Sequence, residues 1–161
     1  MYLVDANVLI EAKNRYYAFD IAPGFWAWLD KAHAQHLACS IEAVRQELLA
    51  GADELSQWAK VRPGFFRPMD AQTVAQFSDL TTWAQSRQYQ QSALNAFTGN
   101  DADYLLIAHA RAHGHTVVTH EIPQPNSKKR VLIPDACTAM GVEYANTFTM
   151  LRKTKARFNL S

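Results

Sequence analysis

The sequence lacks the features of several common classes of protein. Its six glycines are scattered and form no glycine-rich phosphate loop, which argues against a Rossmann or P-loop nucleotide-binding protein. No run approaches the ~18 apolar residues of a membrane-spanning helix, so no membrane partner is expected. The formal net charge is only +1, and any anionic partner must therefore be met by local basic patches.

Cysteine is scarce as well. The two cysteines, Cys39 and Cys137, both stand in apolar surroundings. The first predicted strand begins at residue 2, which leaves no room for a secretory signal. We therefore expect buried thiols in a reducing compartment rather than a disulfide, and a soluble protein of the cytoplasm.

What the sequence does contain is an alternation of short apolar strands with helices. The chain has 161 residues, 48% of them hydrophobic, which is enough for one domain with a substantial core. Strands separated by helices are typical of a parallel sheet covered on both faces. We predict a single α/β domain over residues 1–161, with strands at "YLVD", "HLACS", "HTVVTHE", "VLIP" and "VEYA".

Several helix boundaries follow from capping residues. We expect Asn7 to cap a helix beginning at Val8, and Ser40 to cap the helix "IEAVRQELLAG". Asp70 should cap one long helix, "AQTVAQFSDLTTWAQSRQY", and Gly114 should end the helix "DADYLLIAHARAHG". The segment "FTGN" between those two helices is typical of a turn, and a last helix is expected from about Thr149.

The first strand ends in a carboxylate. Asp5 directly follows an apolar run, where an ionised side chain costs several kcal/mol unless it is paired or bound to a cation, and no basic residue precedes Lys13. In parallel sheets, functional groups collect beyond the carboxyl ends of the strands, where the strand order reverses. Asp5 can point into that crevice, and Glu121 ends the strand "HTVVTHE" in the same way.

Two more acids reach the same place from helices. Asp103 lies in the first turn of its helix, and Glu47 flanks the apolar stripe of another. Taken alone, Asp103, like Asp101, is explained as an acid that complements the helix dipole, and Glu47 as a solvated residue. Together the acids would repel one another by about 4 kcal/mol per close pair, which a hard divalent cation such as Mg²⁺ or Mn²⁺ relieves.

The same residues resemble a known family. The strand with Asp5-x-Asn7, then "RQELL" with Glu47, then "ADYLLIAHARAHGHTVVTHE" with Asp103, Thr119 and Glu121, is similar to the motif series of PIN-domain ribonucleases, especially the VapC-like toxins of toxin–antitoxin pairs. The similarity runs from Met1 to about Leu151. It implies a PIN-like three-layer α/β/α sandwich with a central, mostly parallel sheet, Mg²⁺- or Mn²⁺-dependent cleavage of RNA, and inhibition by a cognate antitoxin protein.

The resemblance also implies roles for individual residues. Asp5, Glu47, Asp103 and Glu121 would be both catalytic and metal-binding. Asn7 and Thr119 would be neutral hydrogen-bonding groups beside the acids, and Asp101 is a reserve carboxylate. The chain departs from the family at two positions: Asn7 stands where Ser or Thr is more usual, and Glu121 stands where Asp or Asn is more usual.

Other interpretations stay open. A catalytically inactive PIN-like module would keep the fold for interactions with other proteins, and exposed aromatic residues suggest a possible homodimer. A receiver-like phosphoacceptor is disfavoured because "VLIP" is followed by an acid and not by the lysine that such domains need. The basic runs "SKKR" and "LRKTKAR" are explained by solvated surfaces as well as by phosphate contacts.

The histidines do not form a protease motif. His109 and His113 have the i, i+4 spacing of a zinc-binding helix, but no glutamate follows His109, and both project away from the face of Asp103. We therefore discount a zinc metalloprotease. His120 alternates to the opposite side of its strand from Thr119 and Glu121, so it is expected to be packed or solvated and not to act as a general base.

Overall fold

The computed structural model describes residues 1–99 and 101–160 and shows one sheet in which every strand pair is parallel. The strand order is β3-β2-β1-β4-β5, which places the first strand in the centre. This confirms the predicted α/β class and the parallel sheet. The strands are β1 (Tyr2–Val4), β2 (Ala38–Ile41), β3 (Phe66–Arg67), β4 (Thr116–Val118) and β5 (Tyr144–Ala145).

The central strands are apolar because helices cover the sheet. Leu3 and Val4 of β1 are completely buried, as are Val117 and Val118 of β4. Tyr2 pairs with both neighbouring strands, and Val4 is in register with Val118. The helices are α1 (Ala6–Glu11), α2 (Pro23–Ala34), α3 (Glu42–Leu49), α4 (Glu54–Lys60), α5 (Ala71–Val74), α6 (Phe77–Ser86), α7 (Gln91–Thr98), α8 (Ala102–His113), α9 (Ile133–Met140) and α10 (Thr147–Lys153).

Two predicted helix caps are wrong. Helix α1 begins at Ala6, with Asp5 in the N-cap position, so Asn7 is an exposed residue of its first turn. Ser40 is a buried residue of β2, and its hydroxyl donates a hydrogen bond of 2.6 Å to the carbonyl of Val4. The hydroxyl is satisfied inside the sheet, as a buried polar group must be, and is not available to cap α3.

Two other predicted caps are confirmed. Asp70 accepts a hydrogen bond of 2.8 Å from the backbone N–H of Thr73, at the start of α5. Gly114 ends α8 in the left-handed conformation, with φ 69°, which glycine adopts without steric cost. The long helix predicted after Asp70 is divided into α5 and α6 at residues 75–76. The "FTGN" segment belongs in part to α7, and its last residue, Asn100, lies outside the described residues.

The predicted strand "VLIP" is also wrong. Val131 and Leu132 are buried residues of an irregular segment, and α9 begins at Ile133. Pro134 is favourable in the first turn of a helix, where a backbone N–H is not needed, and a run of four apolar residues does not by itself distinguish a strand from a helix. The strand predicted at "HTVVTHE" is shorter than expected, so Glu121 lies three residues beyond β4.

The remaining sequence expectations concern the core. Cys39 and Cys137 are buried free thiols, as predicted. Trp26 and Trp58 are buried and their rings meet edge to face, with centroids 5.3 Å apart. In the part of the chain that the structure describes, no helix is long and apolar enough to span a membrane.

Candidate metal and nucleic-acid site

The sheet topology creates a crevice beyond β1 and β4. From β1 the chain continues to β2 on one side, while β4 lies on the other side, so the strand order reverses between these two neighbours. Binding sites of open parallel sheets form at such a point. Asp5 follows β1 directly, and its backbone N–H donates a hydrogen bond of 3.0 Å to the carbonyl of Val118, at the end of β4.

Asp5 is a buried carboxylate in this crevice. It is only 2% exposed, and its side chain accepts a hydrogen bond of 3.3 Å from the hydroxyl of Thr119. The same hydroxyl oxygen accepts a hydrogen bond of 3.1 Å from the backbone N–H of Glu121. Burial, and then the charges of Glu121 and Glu47, raise the pKa of Asp5 to about 7. The structure therefore brings the predicted auxiliary residue Thr119 into direct contact with Asp5.

Asp103 approaches the same crevice from α8. It is half-buried in the first turn of that helix. Burial raises the pKa of Asp103 to about 8, with further contributions from the charges of Asp5, Asp101 and Glu121. Among the described residues, no side chain forms a hydrogen bond or an ion pair with its carboxylate. Asp103 is thus an acid with acidic neighbours and, among the described residues, with no direct hydrogen-bonding or ion-pairing partner for its carboxylate.

The other two helix-borne acids differ in their surroundings. Glu47 is an exposed residue of α3, a helix that contacts α8. Partial burial of its carboxyl group and the charge of Asp101 raise its pKa. Asp101 caps α8 by accepting a hydrogen bond of 2.9 Å from the backbone N–H of Asp103. The helix-capping explanation therefore applies to Asp101, and a role for it in the site stays a prediction.

Glu121 has a different environment from Asp5 and Asp103. One of its carboxylate oxygens forms an ion pair of 2.7 Å with Arg130, and the other accepts a hydrogen bond of 2.8 Å from the backbone N–H of Ile133, at the start of α9. Its charge nevertheless raises the pKa of both Asp5 and Asp103. Glu121 thus belongs to the acidic cluster, and both of its oxygens have protein partners.

A residue that sequence reasoning did not assign to the site is Arg130. In the sequence it stands only as part of the basic run "SKKR", but in the folded protein its positive charge lowers the pKa of Asp103 and opposes the effect of the neighbouring acids. A cavity of about 280 Å³ lies at this end of α8, and Asp101, Asp103, Lys129 and Arg130 are among its lining residues. Acidic and basic side chains therefore line the same groove, which this cavity forms. No local sequence pattern predicts this arrangement, because Arg130 and Asp103 are distant in sequence and come near each other only in the folded protein.

Among the described residues, the side chains of Asn7 and His120 form no hydrogen bond with Asp5 or Asp103. Asn7 is exposed, and its side chain forms no hydrogen bond with any described residue. His120 has partners at both ring nitrogens: Glu11 at 2.9 Å and Thr147 at 2.6 Å. This agrees with the expectation that His120 is packed and does not face the acids.

The acidic cluster has the chemistry of a site for a hard cation. Asp5, Glu47 and Asp103 offer oxygen atoms only, which suits Mg²⁺ or Mn²⁺. Burial is the larger cause of their raised pKa values, and the charges of neighbouring acids add to it. The donor chemistry of these residues therefore suits such an ion, and the waters it retains would be available to a substrate.

Comparisons with known proteins agree with this architecture. Two solved structures are similar to the chain: FitAcB from Neisseria gonorrhoeae, at 20% identity and TM-score 0.55 over 92% of this chain and 99% of that one, and FitAB bound to an IR36 DNA fragment, at 19% identity and TM-score 0.54 over 91% and 94%. At such identities the likeness concerns the fold alone. It supports a PIN-like α/β/α fold for this chain, as the sequence predicted.

A match to a family model identifies the sequence family of the chain. The chain belongs to the family described as domain of unknown function DUF4411, whose model matches residues 2–158. No curated protein matches the chain.

Proposed function

We propose that this protein is a metal-dependent endoribonuclease that hydrolyses RNA phosphodiester bonds, and that it is the toxin of a toxin–antitoxin pair. The observation that carries the proposal is that Asp103 lies close enough to Asp5, at the switch point of a PIN-like sheet, for the charge of Asp5 to raise its pKa. Each carboxyl has a strongly raised pKa, and each is affected by the same neighbouring acid, Glu121. Such shifts cluster at functional sites more often than elsewhere.

The proposed cofactor is Mg²⁺ or Mn²⁺, held by Asp5, Glu47 and Asp103. When bound, such an ion lowers the pKa of a coordinated water and polarises a phosphate oxygen. Thr119 orients the Asp5 carboxylate through its hydrogen bond. Glu121, which has protein partners at both oxygens, contributes to binding through its negative charge and through water, and it forms an ion pair with Arg130, which lines the cavity beside Asp103.

The proposed substrate is RNA, because basic residues line the groove beside the acids. Lys129 and Arg130 are exposed and line the same cavity as Asp103. They would contact phosphate groups of an RNA strand independently of its sequence. Asn7, exposed beside Asp5, offers an amide that can orient a water or a phosphate. RNA would therefore bind to a local basic patch. Such a patch is needed because the net charge of the chain is close to zero.

The proposed partner is an antitoxin protein. Its support is the motif resemblance to VapC-like toxins, together with the similarity to the FitAB and FitAcB structures, the first of which is bound to DNA. A cognate antitoxin would block the groove until it is removed. Action on cellular RNA implies a cytoplasmic location.

The test is cleavage of a mixed RNA pool by the purified full chain with Mn²⁺, Mg²⁺ or EDTA. Asp5→Asn and Asp103→Asn are the site variants. Asp20→Asn is the matched control, because Asp20 is exposed and outside the cluster. Metal-dependent cutting by the wild type and the control, lost in both site variants, supports the proposal. A folded, antitoxin-free wild type that cuts no RNA under any condition overturns it.

One observation favours a second candidate. Arg130 and the N-terminus of α9 already compensate Glu121 without an ion. A catalytically inactive module for protein interactions would need no more than this. On that alternative, the Asp5→Asn variant keeps the biological effect of the wild type when it is expressed in cells, whereas a ribonuclease loses it.

A further inference from the structure

A second group of potential metal ligands lies on a different face of α8 from Asp103. His109 and His113 are one turn apart on this helix, and the tertiary structure places Asp70, from the start of α5, beside them. One potential ligand atom from each of the three side chains lies within 4.8 Å of the others. Asp70 is distant in sequence from both histidines, so the cluster exists only in the folded protein.

The spacing suits a tetrahedral ion. Zn²⁺ binds histidine nitrogen and carboxylate oxygen at about 2.0–2.2 Å, which puts neighbouring tetrahedral ligands about 3.3 Å apart. One pair in the cluster, Nε2 of His113 and Oδ2 of Asp70, is 2.8 Å apart, and all three ligand atoms lie within 4.8 Å of one another. The separation that a tetrahedral ion requires thus falls inside the range that the three atoms already span.

We propose that Asp70, His109 and His113 form a second metal site, specific for a borderline divalent cation such as Zn²⁺ and independent of the acidic cluster. Imidazole nitrogen suits Zn²⁺ and is a poor ligand for Mg²⁺, whereas the acidic cluster offers oxygen alone. Three protein ligands leave the fourth position to water. The zincin motif is absent from the sequence, and the site is built instead from one helix and the cap of another.

Thr73 preorganises two of the ligands. Its backbone N–H donates a hydrogen bond of 2.8 Å to Oδ1 of Asp70, which leaves Oδ2 facing His113. Its hydroxyl lies 3.3 Å from Nδ1 of His109, within hydrogen-bond distance. Groups that fix metal ligands in this way are a regular part of metal sites.

The protonation states agree with this geometry. Burial, followed by the charge of His113, lowers the pKa of His109 to about 4, so its ring is neutral at pH 7. A neutral ring is the form that binds metals. The other groups that face the cluster are His115, whose ring centroid is 5.7 Å from that of His109, and Arg67, whose positive charge also lowers the pKa of His109.

The ion would have a structural effect. Asp70 caps α5, and both histidines belong to α8, so a bound ion would join two helices that already pack together. An ion that binds only the folded state raises its stability. We expect Zn²⁺ to raise the unfolding temperature of the full chain and to protect the amides of α5 from hydrogen exchange.

The test is calorimetric titration of the full chain with Zn²⁺, supported by the visible absorption of bound Co²⁺. The site variants are His113→Gln and Asp70→Asn, and asparagine keeps the helix cap. His36→Asn is the control, since His36 is exposed, outside the cluster, and at a positive φ of 59° that asparagine tolerates. Each protein is also titrated in the Asp5→Asn, Asp103→Asn background, which removes binding to the acidic cluster.

We expect both site variants to weaken Zn²⁺ binding at least tenfold, with the same loss in both backgrounds, while His36→Asn binds as the wild type does. Near-ultraviolet circular dichroism checks that each variant is folded. Unchanged Zn²⁺ affinity in a folded Asp70→Asn or His113→Gln variant overturns the proposal. So does binding that disappears when only Asp5 and Asp103 are replaced.

Discussion

The hydroxyl of Thr119 donates a hydrogen bond of 3.3 Å to the carboxylate of Asp5, across 114 residues of chain. The bond joins the segments that leave the ends of β1 and β4, at the point where the strand order reverses. It also favours the ionised form of a carboxylate whose pKa burial raises. The contact therefore links the fold to the electrostatics of the candidate site.

Replacement of Thr119 tests this link. In Thr119→Val the donor to Asp5 is lost and the backbone N–H of Glu121 loses its acceptor, so we expect a loss of about 1–3 kcal/mol in the free energy of unfolding. The pKa of Asp5 should rise further because a hydrogen bond to its charged form is removed. Chemical denaturation and the pH profile of RNA cleavage measure the two effects. Thr119→Ser, which keeps the hydroxyl, should behave as the wild type in both.

In the metal-free protein, the contribution of Asp5 and Asp103 to stability should decrease as the pH rises. In the folded state the pKa values of Asp5 and Asp103 are about 7 and about 8, against an ordinary value of 3.8. The unfolded chain therefore releases these protons near pH 4, while the folded chain retains them. Their contribution to folding is lost between about pH 4 and pH 8.

Thermal unfolding in EDTA measures this dependence. Asp103→Asn should raise the unfolding temperature at pH 8, where it removes an unfavourable charge, and have little effect at pH 4. Asp20→Asn, at an exposed site, should leave the curve unchanged at both values. If Asp103→Asn changes the unfolding temperature by the same amount at pH 8 as at pH 4, the raised pKa assigned to Asp103 is contradicted.

Divalent cations should offset the loss of stability that accompanies ionisation of Asp5 and Asp103. Mn²⁺ at about 100 times its dissociation constant stabilises a folded protein by about 2.7 kcal/mol, and the gain should be larger at pH 8 than at pH 5, since the ligands must be ionised. Thermal unfolding with and without Mn²⁺ measures it. In the Asp5→Asn, Asp103→Asn variant the gain should disappear. If it persists there, the ion binds elsewhere.

Asp101→Asn separates helix capping from participation in the site. Asparagine caps helices about as well as aspartate, so the free energy of unfolding should stay within about 0.5 kcal/mol of the wild type, whereas Asp101→Ala should lose about 1 kcal/mol. If Asp101 is only a cap, Asp101→Asn cleaves RNA at the wild-type rate. A tenfold loss of cleavage in this stable variant would instead assign its carboxylate to the site.

Arg130 is expected to bind phosphate. Arg130→Gln should weaken binding of RNA uniformly across sequences and reduce the slope of affinity against salt concentration by about one. Filter binding to an RNA of fixed length, at several salt concentrations in EDTA, measures the slope. Arg15→Gln, at an exposed site in the segment after α1, is the control and should leave the slope unchanged. An unchanged slope in Arg130→Gln would show that Arg130 does not contact the phosphates of RNA.

Much of this architecture could be predicted from local patterns. The caps Asp70 and Gly114 act within a few residues of themselves, and the structure confirms both. The expectations for Ser40 and for "VLIP" were wrong because their outcome depends on distant partners: the hydroxyl of Ser40 bonds to Val4 of another strand, and the apolar side chains after Arg130 are buried without strand pairing.

The sequence by itself determined the class of fold and the acids that end or approach its central strands, because strand and helix periodicity and the position of Asp5 after an apolar run are local properties. Only the tertiary structure decided which charged or titratable side chains contact one another. It paired Glu121 with Arg130 and brought Asp70 to His113. These contacts join residues on different elements, and their energies depend on burial and distance, which no single segment of the chain contains.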